Sequence, residues 1–158
     1  MSEGATFSRL LPDEESTLEL GESWAKSLHA PLVIHLQGDL GAGKTTFTRG
    51  ILRGLGHTGA VKSPTYAIVE SYPLEAFTLH HFDLYRFASP EEWEDAGLDE
   101  LFASDCVCLI EWPQQGGGFT PPADITVSLN HTDGGRACTL TAHTANGRKS
   151  LEAWLNSN

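Results

Sequence analysis

At 158 residues with a hydrophobic fraction of 40%, the chain has the length and apolar content for one domain, spanning 1–158, with a sizeable core. Its 10 Lys plus Arg against 21 Asp plus Glu give a formal net charge of -11, which argues against unaided binding of RNA or DNA. A partner protein that holds the nucleic acid on its own basic surface is compatible with that charge.

Phe7, Leu10 and Leu11 suit an edge strand. Asp13 to Thr17 supplies helix caps, and Leu18, Gly21, Trp24, Ala25 and Leu28 mark the apolar side of a first helix, with Trp24 a core residue. Pro31 breaks that helix ahead of an apolar strand, Leu32 to Leu36. Gly38-Asp39-Leu40-Gly41-Ala42-Gly43-Lys44-Thr45 follows and fits the phosphate-loop pattern. The glycines Gly38, Gly41 and Gly43 let successive backbone N–H groups face one anion. Lys44 reaches the terminal phosphates, and the Thr45 hydroxyl is placed to ligate Mg²⁺. Thr46 to Leu55 then reads as a helix, with Phe47, Ile51, Leu52 and Leu55 at helical spacing. Together these residues predict binding of a nucleoside triphosphate and leave kinase, GTPase and ATPase open.

Gly54, Gly56 and Gly59 lead into Lys62-Ser63-Pro64-Thr65-Tyr66. Ala67 to Tyr72 and Phe77 to Phe82 are strands joined by too short a link for a crossover helix, so they predict an antiparallel hairpin. Ser89-Pro90-Glu91-Glu92 is a helix start, with Gly97 a dividing point before Leu101 and Phe102. Cys106 to Ile110 is nearly all apolar, as a central parallel strand requires, and Cys106 and Cys108 share one face. Ile125 to Leu129 and Cys138 to Ala142 alternate as a second hairpin with its turn over Asn130 to Gly135. Leu151, Trp154 and Leu155 mark a short closing helix or an edge segment. The fold class expected is α/β: a P-loop NTPase fold with a mixed, mainly parallel central sheet, flanking helices and antiparallel hairpins.

Two acids, Asp83 and Glu111, sit at ends of apolar strands, where an open α/β sheet places its ligands. Glu111 is the candidate for the magnesium shell, directly or through water. Asp83 suits a magnesium-bound water or the attacking water. Thr65 is placed like the sensing threonine of a nucleotide switch. His80 and His81 face opposite sides of their strand and form no same-face metal pair. Asn130-His131-Thr132-Asp133 lacks the lysine of a guanine-reading pattern, which favours adenine. An odd count of 3 cysteines, no secretory signal and no run of membrane-spanning length predict the cytoplasm and no membrane.

Gly38 to Thr46, Lys62 to Tyr66, His81-Phe82-Asp83-Leu84-Tyr85-Arg86 and Ile110-Glu111-Trp112-Pro113 together resemble the signature set of the TsaE (YjeE) family, across about residues 10–145. That resemblance implies an ATPase of bacterial tRNA threonylcarbamoyladenosine synthesis, binding ATP or ADP and Mg²⁺. It also implies action with the TsaB–TsaD pair on adenosine 37 of tRNAs reading codons that begin with A, the tRNA being met through that complex. Lys44 then matches the phosphate-binding lysine, Thr45 and Glu111 the metal site, and Asp83 the acid required for hydrolysis. Gly38, Asp39, Gly41, Ala42, Gly43 and Thr46 belong to the nucleotide-binding loop. Thr65 and Tyr85 fall in active-site motifs with Trp112 beside them, and Glu14 and Arg136 match contacts near the nucleoside. A small-molecule or nucleoside kinase, and a nucleotide-gated binding module without required hydrolysis, are the competing readings.

Overall fold

The computed structural model describes residues 6–39, 42–62, 64, 67–103 and 105–157. One seven-stranded sheet organises them. Its strands are β1 (Thr6–Leu11), β2 (Leu32–Gln37), β3 (Val69–Pro73), β4 (Thr78–Asp83), β5 (Cys106–Glu111), β6 (Ile125–Thr132) and β7 (Gly135–Ala142), in the order β1-β7-β6-β2-β5-β4-β3. The middle pairs β6–β2, β2–β5 and β5–β4 are parallel, whereas β1–β7, β7–β6 and β4–β3 are antiparallel. The sheet is therefore mixed in equal parts, not mainly parallel as the sequence suggested. Two hairpin links leave no room for a crossover, and β1 adds to β7 in the antiparallel sense. β5 is the central parallel strand expected, buried at every position.

The helices are α1 (Glu14–Ala25), α2 (Lys44–Gly54), the single turn α3 (Glu92–Asp95) and α4 (Ala145–Asn156). Asp13 caps α1 by accepting the Ser16 N–H at 2.8 Å. α2 starts at Lys44, two residues ahead of the sequence expectation, because Gly43 at φ 103 turns the chain directly into the helix. Gly97, at φ 66, divides α3 from a 3₁₀ turn over Leu98–Leu101. α4 runs 12 residues, longer than the short segment expected, since Thr144 caps it and Trp154 Nε1 donates to Ser23 Oγ at 2.8 Å. In the second hairpin the strands continue to Thr132 and Gly135, so Asn130 to Thr132 are strand and not turn.

Alternation along the strands sorts side chains into two cores. On one face the inward positions are filled by Ile34, Leu36, Leu79, Val107, Leu109, Ile125 and Val127, covered by Leu20 and Trp24 of α1 and Phe47 and Ile51 of α2. On the other, Phe82, Cys106, Cys108 and Ile110 pack with Trp93 and Leu98. α1 and α2 meet backbone to backbone: a Cβ on Gly21 would lie 2.5 Å from the Phe47 carbonyl oxygen, and one on Gly50 would lie 2.2 Å from that of Leu18. Among the described residues no helix is long and apolar enough to cross a membrane.

Candidate functional site

The site forms where β2, β4 and β5 end and α2 begins. Gly38 leaves β2 at φ 147, where a Cβ would lie 2.1 Å from the Leu129 carbonyl oxygen, so only glycine fits. Gly43 gives α2 no side-chain cap, which leaves the first-turn N–H groups available to an anion. Ala42 is fully buried beneath this loop, and its N–H donates to the Asp39 carbonyl at 3.1 Å.

Lys44, in the first turn of α2, is 5% exposed. Its ammonium donates to the Gly38 carbonyl at 2.7 Å, stands 3.9 Å from Glu111 Oε1 and lies 4.3 Å from the centre of the Trp112 ring. Burial pushes the Lys44 pKa down from its ordinary value, while Glu111, Asp83 and Asp39 act the other way. Gly38, Lys44, Trp112, Leu36, Gln37 and Gln114 line a cavity of about 320 Å³.

The acids come from the strand ends. Cα register pairs Asp83 with Glu111, and Glu111 with Leu36. Alternation puts Leu79, His81 and Asp83 of β4 on the face that α2 covers, beside Val107, Leu109 and Glu111 of β5. Asp83 is 7% exposed and accepts the Tyr85 N–H at 3.0 Å. Glu111 Oε2 accepts a hydrogen bond from His81 Nε2 at 2.6 Å. Trp112 follows at φ 57, a left-handed conformation rare for a bulky residue, and its ring meets Tyr85 at 5.0 Å between centroids. This backbone turn at the end of β5 brings the indole over Lys44.

Two residues approach from outside the strand ends. Glu14 in the first turn of α1 accepts the Thr46 hydroxyl at 3.1 Å, joining the two helix starts. Arg136 of β7 lies over Gly43, where an added Cβ would be 3.1 Å from Arg136 Nε. That Nε is buried with no hydrogen-bond partner among the described residues. A buried guanidinium nitrogen and a buried ammonium, both beside an uncapped helix start, are donors suited to a phosphate-bearing ligand.

The comparisons with known proteins agree on one family. The family model for "Threonylcarbamoyl adenosine biosynthesis protein TsaE" matches residues 11–138. A TsaE of Haemophilus influenzae is 45% identical over 96% of this chain and 99% of its own length. The chain belongs to the TsaE family. A TsaE of Rickettsia conorii is 37% identical over 89% of this chain and 81% of its own. Among solved structures, Bacillus subtilis YdiB superposes with a TM-score of 0.84 at 29% identity, covering 99% of both chains.

In this TsaE-family chain the residues singled out from sequence fall into three groups. Gly38, Gly43, Lys44, Asp83, Glu111, Tyr85 and Trp112 converge on one end of the sheet. Asp39, Ala42, Thr45 and Thr46 lie in the same loop and first helical turn, with Glu14 and Arg136 reaching them from α1 and β7. Gly41 and Thr65 lie outside the described residues. One contact was missed from sequence. Opposite faces for His80 and His81 exclude a same-face metal pair and say nothing of a bond from His81 to Glu111. The orientation holds, since His80 bonds Ser71 Oγ at 2.7 Å on the far side. Yet position 81 is two residues before Asp83, hence on the face of the acids, and that spacing was the available signal.

Proposed function

We propose that this protein is the ATP-hydrolysing component of tRNA threonylcarbamoyladenosine biosynthesis, a single cytoplasmic P-loop ATPase domain over 1–158. It acts with the TsaB–TsaD complex on adenosine 37 of tRNAs reading A-starting codons and meets tRNA through that complex. The observation that carries the ATPase reading is the buried Lys44 ammonium between the Gly38 carbonyl and Glu111, with Asp83 in register beside Glu111. Family membership carries the pathway.

The residues present fit ATP or ADP with Mg²⁺. Gly38 and Gly43 keep the loop open to phosphate oxygens, and Lys44 exchanges the Gly38 carbonyl for them. Arg136, whose Nε has no hydrogen-bond partner among the described residues, would meet the ligand from above Gly43. Thr45 and Glu111 would hold the metal, in keeping with the preference of Mg²⁺ for few protein ligands plus substrate phosphates. A metal held there would supply neutralisation of the phosphate charge. Asp83 orients water, its carboxylate held by the Tyr85 N–H. Thr65 responds to the nucleotide state, and Trp112 with Tyr85 shields Lys44 from solvent. Hydrolysis is weak alone and rises when the partners complete the site.

The test is reconstituted tRNA modification with this protein omitted, restored, or replaced by Asp83→Asn, with phosphate release followed in parallel. The expected result is multiple-turnover modification only with the unsubstituted protein, and release stimulated by TsaB–TsaD. Sustained modification without the protein overturns the assignment.

A further inference from the structure

We infer that His81 is a positioning residue for Glu111, fixing the plane of its carboxylate so that one oxygen stays turned toward Lys44 and the nucleotide end of the site. This rests on the proposed role of Glu111 at the metal.

The geometry is specific. His81 lies on β4 in register with Leu109, one step along the same face from Glu111 on β5, so its ring reaches up the strand to the carboxylate. Its Nε2 lies 2.6 Å from Glu111 Oε2, and a carboxylate oxygen accepts, so Nε2 carries the donated hydrogen. The other oxygen, Oε1, is then the one 3.9 Å from Lys44 Nζ. Each oxygen of Glu111 thus has its own neighbour, and rotation of the carboxylate about its last torsion breaks the His81 bond. The 3.9 Å contact to Lys44 is too long to fix that torsion by itself.

Packing gives an independent argument. His81 is 0% exposed, flanked on its own face by Leu79 and Leu109, which are equally buried. Its Nδ1 is buried with no hydrogen-bond partner among the described residues. A histidine here leaves one polar nitrogen unsatisfied, a cost that a leucine in the same layer avoids. Against that cost stands the bond to Glu111. A carboxylate that holds a metal is commonly held in turn by such a partner, and loss of that partner typically weakens metal affinity about 10- to 100-fold.

The experiment compares His81→Leu, His81→Gln, Glu111→Gln and the His81→Leu/Glu111→Gln double variant. ADP affinity is measured by calorimetry in EDTA and in Mg²⁺, and thermal unfolding of the ligand-free proteins is recorded. Expected is an unchanged affinity in EDTA for His81→Leu, with the Mg²⁺-dependent gain reduced about tenfold. His81→Gln, whose amide N–H can replace the donor, should recover part of that gain. On the Glu111→Gln background, His81→Leu should remove nothing further. If Glu111→Gln itself leaves the Mg²⁺ gain intact, the role of Glu111 falls and this inference with it. If Glu111→Gln abolishes the gain while His81→Leu keeps it whole, only the inference is overturned. Equal loss in His81→Leu and His81→Gln, tracking equal losses of thermal stability, also overturns it, because His81 would then be filling space alone.

Discussion

The two faces of the sheet are built from the same strands and do different work. On β4 and β5 the odd positions, Leu79-His81-Asp83 and Val107-Leu109-Glu111, begin apolar under α2 and end in charge. The intervening positions, His80-Phe82 and Cys106-Cys108-Ile110, face a second core whose centre is aromatic. There Phe82 stacks on Trp93 at 5.9 Å and on Phe102 at 5.3 Å between centroids. A two-residue period therefore places adjacent residues, Phe82 and Asp83, in the aromatic core and beside Glu111 respectively. One face holds the strands in register, and the other uses that register to set two acids side by side.

The separation is open to direct attack. Phe82→Ala removes the centre of the aromatic cluster and should cost about 3–5 kcal/mol in denaturant unfolding. ADP affinity of the remaining folded protein should be little changed. The neighbouring Asp83→Asn should do the reverse, lowering partner-stimulated phosphate release about 10²- to 10³-fold with a small change in melting temperature. If Asp83→Asn unfolds the protein as readily as Phe82→Ala, the faces are not independent. Gly50→Ala probes the α1–α2 contact behind the site, where the new methyl group meets the Leu18 carbonyl, and a loss of about 1–3 kcal/mol is expected by thermal unfolding.

The smallest effect concerns pH. Burial pushes the Cys108 and Cys138 thiols up from 9.0 to about 12. The folded state keeps these protons while the unfolded chain releases them, so stability is fully present below about pH 9 and declines toward pH 12. At about pH 10 the loss should be roughly 1 kcal/mol per thiol, and Cys108→Ala should flatten that slope in urea titrations at successive pH values.

Much of this division was readable in the amino-acid order. The unbroken apolar run from Cys106 announced a central strand, and the glycine spacing around Lys44 announced an anion-facing turn. Asp83 and Glu111 were legible as strand ends, and Ser89 to Glu92 as a helix start. What escaped depended on pairing between distant segments. The link between His81 and Glu111 exists only once β4 and β5 are set in parallel register. The antiparallel docking of β1 on β7, which makes the sheet equally mixed, has no local signature in Thr6–Leu11. The early start of α2 followed from the left-handed turn at Gly43, which hydrophobic periodicity does not register. Arg136 was named through the family resemblance, since its reach to Gly43 from a strand 93 positions along the chain has no local pattern.

The left-handed turn at Trp112 has an optical consequence. Of the four tryptophans, Trp24 and Trp93 are 0% exposed and Trp154 is 2% exposed, all packed in the cores, while Trp112 is half-buried with the Lys44 ammonium beside its indole. Any ligand that draws Lys44 away changes the electric field at one indole and leaves the other three in their cores. Trp112 is thus the tryptophan whose emission should respond to the position of Lys44, above a steady contribution from the three core tryptophans.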